Sequence, residues 1–314
     1  MDSSENPELF SNSAQGSESE RADGAIKSKS SPPVTGKKTL HEDKEDFYNM
    51  HHARRGRAVI FNQMNFKNDT KLFREGSDVD ENNLKRAFEK NGFEAIVFRD
   101  CNKEEIDCFF DKYRTDPNLT DEDCLVICYL SHGVENEKLY TVKEGEFITV
   151  QELLDPFTAE RCPQMAGKPK LVFVQACKGQ KIDKGSKIQV DGIGKLRNYE
   201  QKTFNQQSFT IPNNADFFVA YSTCEGYASL RDTNDGSWFV QCLCKQLEKE
   251  ETQSMSIFQW MTKVNRMVAM EQADNVPLML GADQVILERV KQCSAFTSRL
   301  TKDLILAPKV TRRN

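Results

Sequence analysis

The chain predicts an α/β fold, a mostly parallel central β-sheet of about six strands with helices on both faces. Three observations carry that expectation. Short apolar runs rich in β-branched and aromatic residues recur at 58–61, 93–98, 124–130, 171–176 and 215–221, the pattern of strands covered on both sides. Between them lie stretches whose apolar residues return every three or four positions, as the buried stripe of a helix does. A length of 314 residues, 38% hydrophobic and 29% charged, supplies the core that one α/β domain of roughly 250 residues needs.

Taken in order, residues 1–46 are rich in Ser, Glu, Lys and Asp, include Pro32-Pro33 and show no apolar period, which predicts a disordered tail. The run 58–61 is the first strand. Asp78 is the expected N-cap of a helix carrying Val79, Leu84, Ala87 and Phe88 and stopped by Asn91-Gly92. Residues 93–98 form the second strand, and 103–113, with Ile106, Phe109, Phe110 and Tyr113 on one side, the next helix. The run 124–130 is a third strand, 150–154 a short helix, and 171–176 a fourth strand. From 179 to 211 the chain turns polar, and a stretch of that length without structure inside a domain marks a functional or cleaved loop. Order resumes with a strand at 215–221, helices at 237–249 and 256–270, and a last strand at 300–306.

A net charge of -5 gives no basic footprint for nucleic acid. The start lacks the basic end and apolar stretch of a leader, and no run is long enough to span a bilayer, so a cytoplasmic place without a membrane partner is expected. The ten cysteines are then expected reduced. Cys124 with Cys128, and Cys242 with Cys244, lack the two-residue gap of a zinc knuckle, and His41, His51, His52 and His132 add no ligand spacing. No metal is expected. The first strand is followed by Phe61-Asn62-Gln63-Met64 rather than a glycine-rich turn, which disfavours a dinucleotide site, and no cofactor is expected.

Chemistry converges where two strands end. Residues 170–176 run into Cys177, and the neighbouring apolar run ends at Leu130 before Ser131-His132-Gly133. The carboxyl edge of an open α/β sheet is where ligands bind, and parallel neighbours lie about 4.8 Å apart, so thiol and imidazole are expected to share one crevice. An imidazole that takes the thiol proton makes the thiolate, which is the nucleophile. Gly133 lets backbone approach a substrate, and its N–H together with that of Cys177 can hold a developing oxyanion.

The residues around this pair resemble those of the caspases, cysteine proteases that cleave after aspartate. Gln175-Ala176-Cys177-Lys178-Gly179 matches the family's five-residue signature at four positions, and the histidine precedes the cysteine by 177 − 132 = 45 residues. The resemblance runs from about Tyr48 to about Leu306 and includes Gly76-Ser77-Asp78-Val79-Asp80, Ala166-Gly167-Lys168-Pro169-Lys170, Ala215-Asp216-Phe217 and Asp235-Gly236-Ser237-Trp238-Phe239. It implies a caspase-like fold in which 1–46 is a prodomain, 47–191 the large-subunit region, and 192–314 a linker remnant and the small subunit.

By the same resemblance, Arg74 and Arg231 clamp the substrate aspartate, with Gln175 as a third contact, and a fork-shaped guanidinium suits a carboxylate. Ser229 and Trp238 shape the substrate groove. Three positions depart from the family pattern. Lys178 stands in the signature where Arg, Gln or Gly is expected; Leu230 stands where effector members carry tryptophan, and Asp232 where they carry asparagine. Tolerance next to the aspartate, and a fourth position that accepts apolar residues at least as well as aspartate, are expected to follow.

The implied activity is a cysteine endopeptidase of executioner type in apoptosis, made as a zymogen. Cleavage is expected after Asp191, ahead of Gly192, with Asp183 a weaker candidate, and after Asp23, ahead of Gly24. The implied partners are proteins with exposed aspartate-containing loops, an upstream activating caspase, inhibitor-of-apoptosis proteins, and a second copy in a homodimer of large and small subunit pairs. Two alternatives stand beside this: a catalytically weak homologue acting as a regulator or decoy, and a thiol redox protein, which the lack of a Cys-x-x-Cys pair disfavours.

Overall fold

Six strands lie side by side in the computed structural model, which describes residues 46–66, 72–134, 136–185, 211–280 and 283–309. In chain order the strands are β1 (Arg57–Asn62), β2 (Glu94–Arg99), β3 (Leu125–Leu130), β4 (Lys138–Tyr140), β5 (Phe147–Thr149), β6 (Lys170–Gln175), β7 (Phe217–Tyr221), β8 (Arg231–Asp232), β9 (Gly236–Ser237), β10 (Ala273–Leu280), β11 (Asp283–Val290) and β12 (Ala295–Ser298). The helices are α1 (Ser77–Lys90), α2 (Lys103–Arg114), α3 (Val150–Leu154), α4 (Trp238–Leu247) and α5 (Ile257–Met270). The main sheet runs β12-β7-β6-β3-β1-β2, parallel throughout except for β12, which is antiparallel to β7.

Each central strand feeds two cores by alternation. Ala58 and Ile60, Val126 and Cys128, Leu171 and Phe173, and Phe218 and Ala220 face the helices α1, α4 and α5. Val59 and Phe61, Ile127 and Tyr129, Val172 and Val174, and Phe217 and Val219 face α2 and α3. A strand covered on both sides gains nothing from a polar face, which is why these runs are continuously apolar. The mostly parallel α/β sheet with helices on both faces is thus as expected.

Local readings differ at three places. Helix α1 starts at Ser77 with Gly76, at φ 79°, as its N-cap and no side-chain cap, and Asp78 sits in the first turn. Gly76 is held there because a Cβ would meet the Asp232 and Thr233 carbonyl oxygens at 2.7 and 2.8 Å. The last strand of the sheet is β12, not 300–306; the later segment contributes isolated bridges at Asp303 and Ile305, and Leu304 and Leu306 are buried in the α1/α4/α5 core. The long hairpin of β10 and β11 was not legible, since Pro277, opposite Ile286 in its register, reads as a strand breaker. Pro is tolerated there because each strand of a two-stranded ribbon has a free edge.

Candidate active site

Leu130 pairs with Gln175 across β3 and β6, so His132 and Cys177 stand at equal steps beyond that pair, at the carboxyl edge of the sheet. Gly133 packs directly on the cysteine: a Cβ there would lie 2.4 Å from the Cys177 carbonyl oxygen and 3.0 Å from the Ala176 side chain. The Gly133↔Leu139 bridge continues β4 alongside it.

The imidazole is fixed from one side. His132 Nε2 lies 2.7 Å from the Leu72 carbonyl oxygen; a carbonyl can only accept, so Nε2 carries the hydrogen and Nδ1 keeps its lone pair. Phe66 lies against the ring, with centroids 5.2 Å apart. Burial holds the imidazole pKa below its usual 6.5, and Arg74 and Arg231 push the same way against the Leu72 carbonyl. The ring is therefore a neutral base near pH 7. The half-buried Cys177 thiol is engaged by Ser229 rather than by the imidazole: the Ser229 N–H donates to Sγ at 3.3 Å, and Sγ reaches the Ser229 carbonyl at 3.8 Å. Nucleophile–base contacts are often loose in the uncomplexed protein and tighten with substrate.

Beside this pair sits a cationic pocket. Arg74 is fully buried, and its Nη1 donates to the Asn62 Oδ1, Gln63 carbonyl and Ser77 Oγ atoms. Among the described residues its Nε and Nη2 have no partner. Burial, then the nearby Arg231, bring the Arg74 pKa down to about 9. Arg231 is itself held by the Glu75 carbonyl oxygen through Nε at 2.8 Å, and burial lowers its pKa as well. Gln175 donates to Ser229 Oγ at 2.8 Å, while its Oε1 is buried without a partner among the described residues.

Two segments far apart in the chain build this pocket by packing on each other. Asp80 accepts from the Ser237 N–H at 2.7 Å and the Ser237 hydroxyl, and Gly236, at φ 86°, passes so close that a Cβ would meet Asp80 Oδ1 at 2.4 Å. With Gly76 against the backbone of Asp232 and Thr233, these contacts bring Arg74 and Arg231 together. Asp80, which the sequence reading missed, is the counter-charge near both arginines; burial raises its pKa, and Ser237 and the two cations oppose that. The repeated Gly-Ser sequence beside each arginine was the available signal.

The remaining named positions fall around the pocket. Ser229 lies between Gln175 and Cys177, Trp238 opens α4 half-buried, and the Leu230 N–H donates to Gln292 Oε1 at 2.6 Å. Asp232 is exposed, and its Oδ1 accepts from the Asn234 and Asp235 amides, which hold its carboxyl below the usual range. Lys178 turns away from the thiol to Glu225 at 2.9 Å, Glu137 at 3.4 Å and the face of Tyr221. Asp183 is described, with its carbonyl accepting from the Lys291 amide; Asp191 and Asp23 lie outside the described residues. Among the described residues no helix is long and apolar enough to cross a membrane.

Comparison with known proteins identifies the family. The family model described as the caspase domain matches residues 55–305. The chain is 36% identical over 266 residues to caspase-1 of Spodoptera frugiperda, covering 84% of this chain and 82% of that protein. It is 35% identical over 270 residues to caspase-6 of Gallus gallus, covering 83% and 84%. The crystal structure of the Spodoptera caspase-1 superposes with a TM-score of 0.70 at 34% identity, covering 84% of this chain and 96% of that one. A thiol and a neutral imidazole at adjacent strand ends, beside one buried and one half-buried guanidinium and within a chain so matched, mark a cysteine-type endopeptidase that belongs to the caspase family.

Proposed function

We propose that the chain cleaves peptide bonds after aspartate, with Cys177 as nucleophile, His132 as general acid and base, and Arg74, Arg231 and Gln175 as the aspartate pocket. The observation that carries this reading is Arg74: two guanidinium nitrogens, Nε and Nη2, are buried with no partner among the described residues. Orphaned buried donors on a cation are costly unless an anion completes them, and a carboxylate meets a guanidinium fork bidentately. The unpaired Gln175 Oε1 supports the same ligand. A half-turn of that amide puts its N–H₂ where the orphan oxygen stands and lets the Ser229 hydroxyl donate to the oxygen instead.

In the reaction, His132 Nδ1 takes the thiol proton, Sγ attacks the scissile carbonyl, and the Gly133 and Cys177 amides receive the oxyanion. The imidazolium, steadied by the Leu72 carbonyl, protonates the leaving amine. Water then attacks the thioester, with His132 as base, and frees the acid. An executioner-type zymogen in apoptosis, cut after Asp191 and after Asp23 and acting as a homodimer on proteins with exposed aspartate loops, extends this reading. The family membership and the polar stretch 179–211 support it. An upstream caspase as activator and inhibitor-of-apoptosis proteins as regulators belong to the same extension.

Hydrolysis of a short aspartyl peptide tests the core of it, beside the same peptide with asparagine or glutamate. Wild type should strongly prefer aspartate, Cys177→Ala should be inactive, and Arg74→Ala should lose about 2 to 5 kcal/mol of transition-state binding. An Arg74→Ala protein as fast as wild type on the aspartyl peptide would put the pocket elsewhere. Activity surviving in Cys177→Ala would remove the thiol from the mechanism.

A further inference from the structure

Two cysteines outside the catalytic pair meet across the sheet's last ladder. Cys224 follows β7 and Cys293 precedes β12; the antiparallel pair Ala295↔Tyr221 closes that ladder, and the two chains run on side by side from it, with Gln292 Nε2 donating to the Ser222 carbonyl at 2.7 Å. Cys224 Sγ lies 3.4 Å from the Cys293 carbonyl oxygen. Both thiols are free, Cys224 half-buried and Cys293 exposed. Burial, then the neighbouring Cys293, raise the Cys224 pKa, while Lys178 lowers it. A thiol this close to the backbone of another cysteine residue lies within reach of its side chain once either side chain rotates, and a disulfide needs Cα atoms no more than about 7 Å apart.

We propose that Cys224 and Cys293 are a hydroperoxide-sensitive thiol pair that closes to an intramolecular disulfide and fastens the chain before β12 to the loop beside Cys177. The exposed Cys293 meets peroxide first. Its thiolate attacks one peroxide oxygen, the O–O bond breaks, and the released hydroxide leaves as water with the thiol proton, giving a sulfenic acid. Cys224, as thiolate, then attacks that sulfur; the S–O bond breaks, the S–S bond forms, and a second water leaves. Two thiols lose two electrons in all and the peroxide gains them.

The neighbours of the pair make this more than an oxidation mark. The turn holding Cys224 is tied to the residues after the catalytic cysteine, by Gly226 N–H to the Lys178 carbonyl at 2.8 Å and Lys178 N–H to the Tyr227 carbonyl at 3.0 Å. Gly179 is pressed so close to Gly226 that a Cβ would lie 2.4 Å from its backbone. On the other side, Gln292 accepts from Leu230 in the substrate groove. A bridge here would hold both walls to one another and remove freedom from the unfolded chain.

Full-length Cys177→Ala protein, in which the catalytic thiol cannot compete, should be exposed to hydrogen peroxide in its native state and then alkylated. The expected product is a monomer about 2 Da lighter, since two hydrogens leave, whose unreduced digest joins the Cys224 and Cys293 peptides. It should melt several degrees higher than the reduced protein and revert with thiol reductant, and adding Cys293→Ser or Cys224→Ser should abolish the link. Both cysteines remaining alkylatable as fast as the exposed Cys108, or a link between two chains, would overturn the pair. A link formed with no change in melting would overturn the fastening.

Discussion

At the scale of single residues, the Leu72 carbonyl decides which nitrogen of His132 is free to take a proton in the proposed mechanism. By accepting from Nε2 it leaves Nδ1 as the base, and burial with two arginines nearby keeps the ring neutral to a lower pH than a free imidazole. A base that must be unprotonated works above its own pKa and fails as pH falls through it. The acid limb of kcat/KM on an aspartyl peptide should therefore have its midpoint below 6.5, the ordinary imidazole value, and a midpoint above that value would contradict the environment described. His132→Ala should cost several orders of magnitude in kcat, as loss of a base paired with a nucleophile does. The exposed Asp232 carboxylate accepts from the Asn234 and Asp235 amides through Oδ1, contacts an asparagine oxygen can also accept, so Asp232→Asn removes the charge and leaves the turn. A positional peptide library on wild type and Asp232→Asn measures how much of the fourth-position preference depends on that charge.

At the scale of elements, the site exists because unrelated segments are forced into contact by glycines. Gly133 has no room for a side chain beside the Cys177 carbonyl, so Gly133→Ala should push apart the strand ends that carry thiol and imidazole and lower kcat by at least tenfold. Circular dichroism should remain native, because the clash lies at the sheet edge and not in either core. A variant with full kcat would mean the edge can yield by that distance. Here too lies the boundary of what the residues alone disclosed. The parallel strands were legible because two-sided burial writes itself as unbroken apolar runs, and the paired ends of β3 and β6 followed from them. The Leu72 carbonyl and Asp80 were not: one is backbone, which leaves no mark in side-chain identity, and the other is an acid among many. The β10–β11 hairpin escaped because Pro277 contradicts the local strand pattern, and the segment 300–306 misled because its alternating leucines serve a helix-lined core.

At the scale of the whole molecule, the arginines of the pocket stand on opposite sides of the polar stretch 179–211. Arg74, His132 and Cys177 precede it, and Arg231 follows it. A cut within that stretch leaves a pocket made by two chains, held together by the shared sheet, since β6 and β7 pair directly on either side of it. That pairing, with Asp80 on Ser237, predicts that the pieces stay associated after cleavage. Asp191 followed by Gly192 offers an aspartate, a small residue and the reading's own specificity in one place, within a polar stretch of sequence of the kind proteases prefer to cut. Active protein should therefore show a new amino terminus at Gly192 by mass spectrometry, with a second at Gly24, and the fragments should co-elute on a sizing column until denaturant is added. Asp191→Ala should abolish the first of these termini and lower activity well below that of the cleaved enzyme. A fully active Asp191→Ala protein that remains a single chain would show that the pocket needs no cut to assemble.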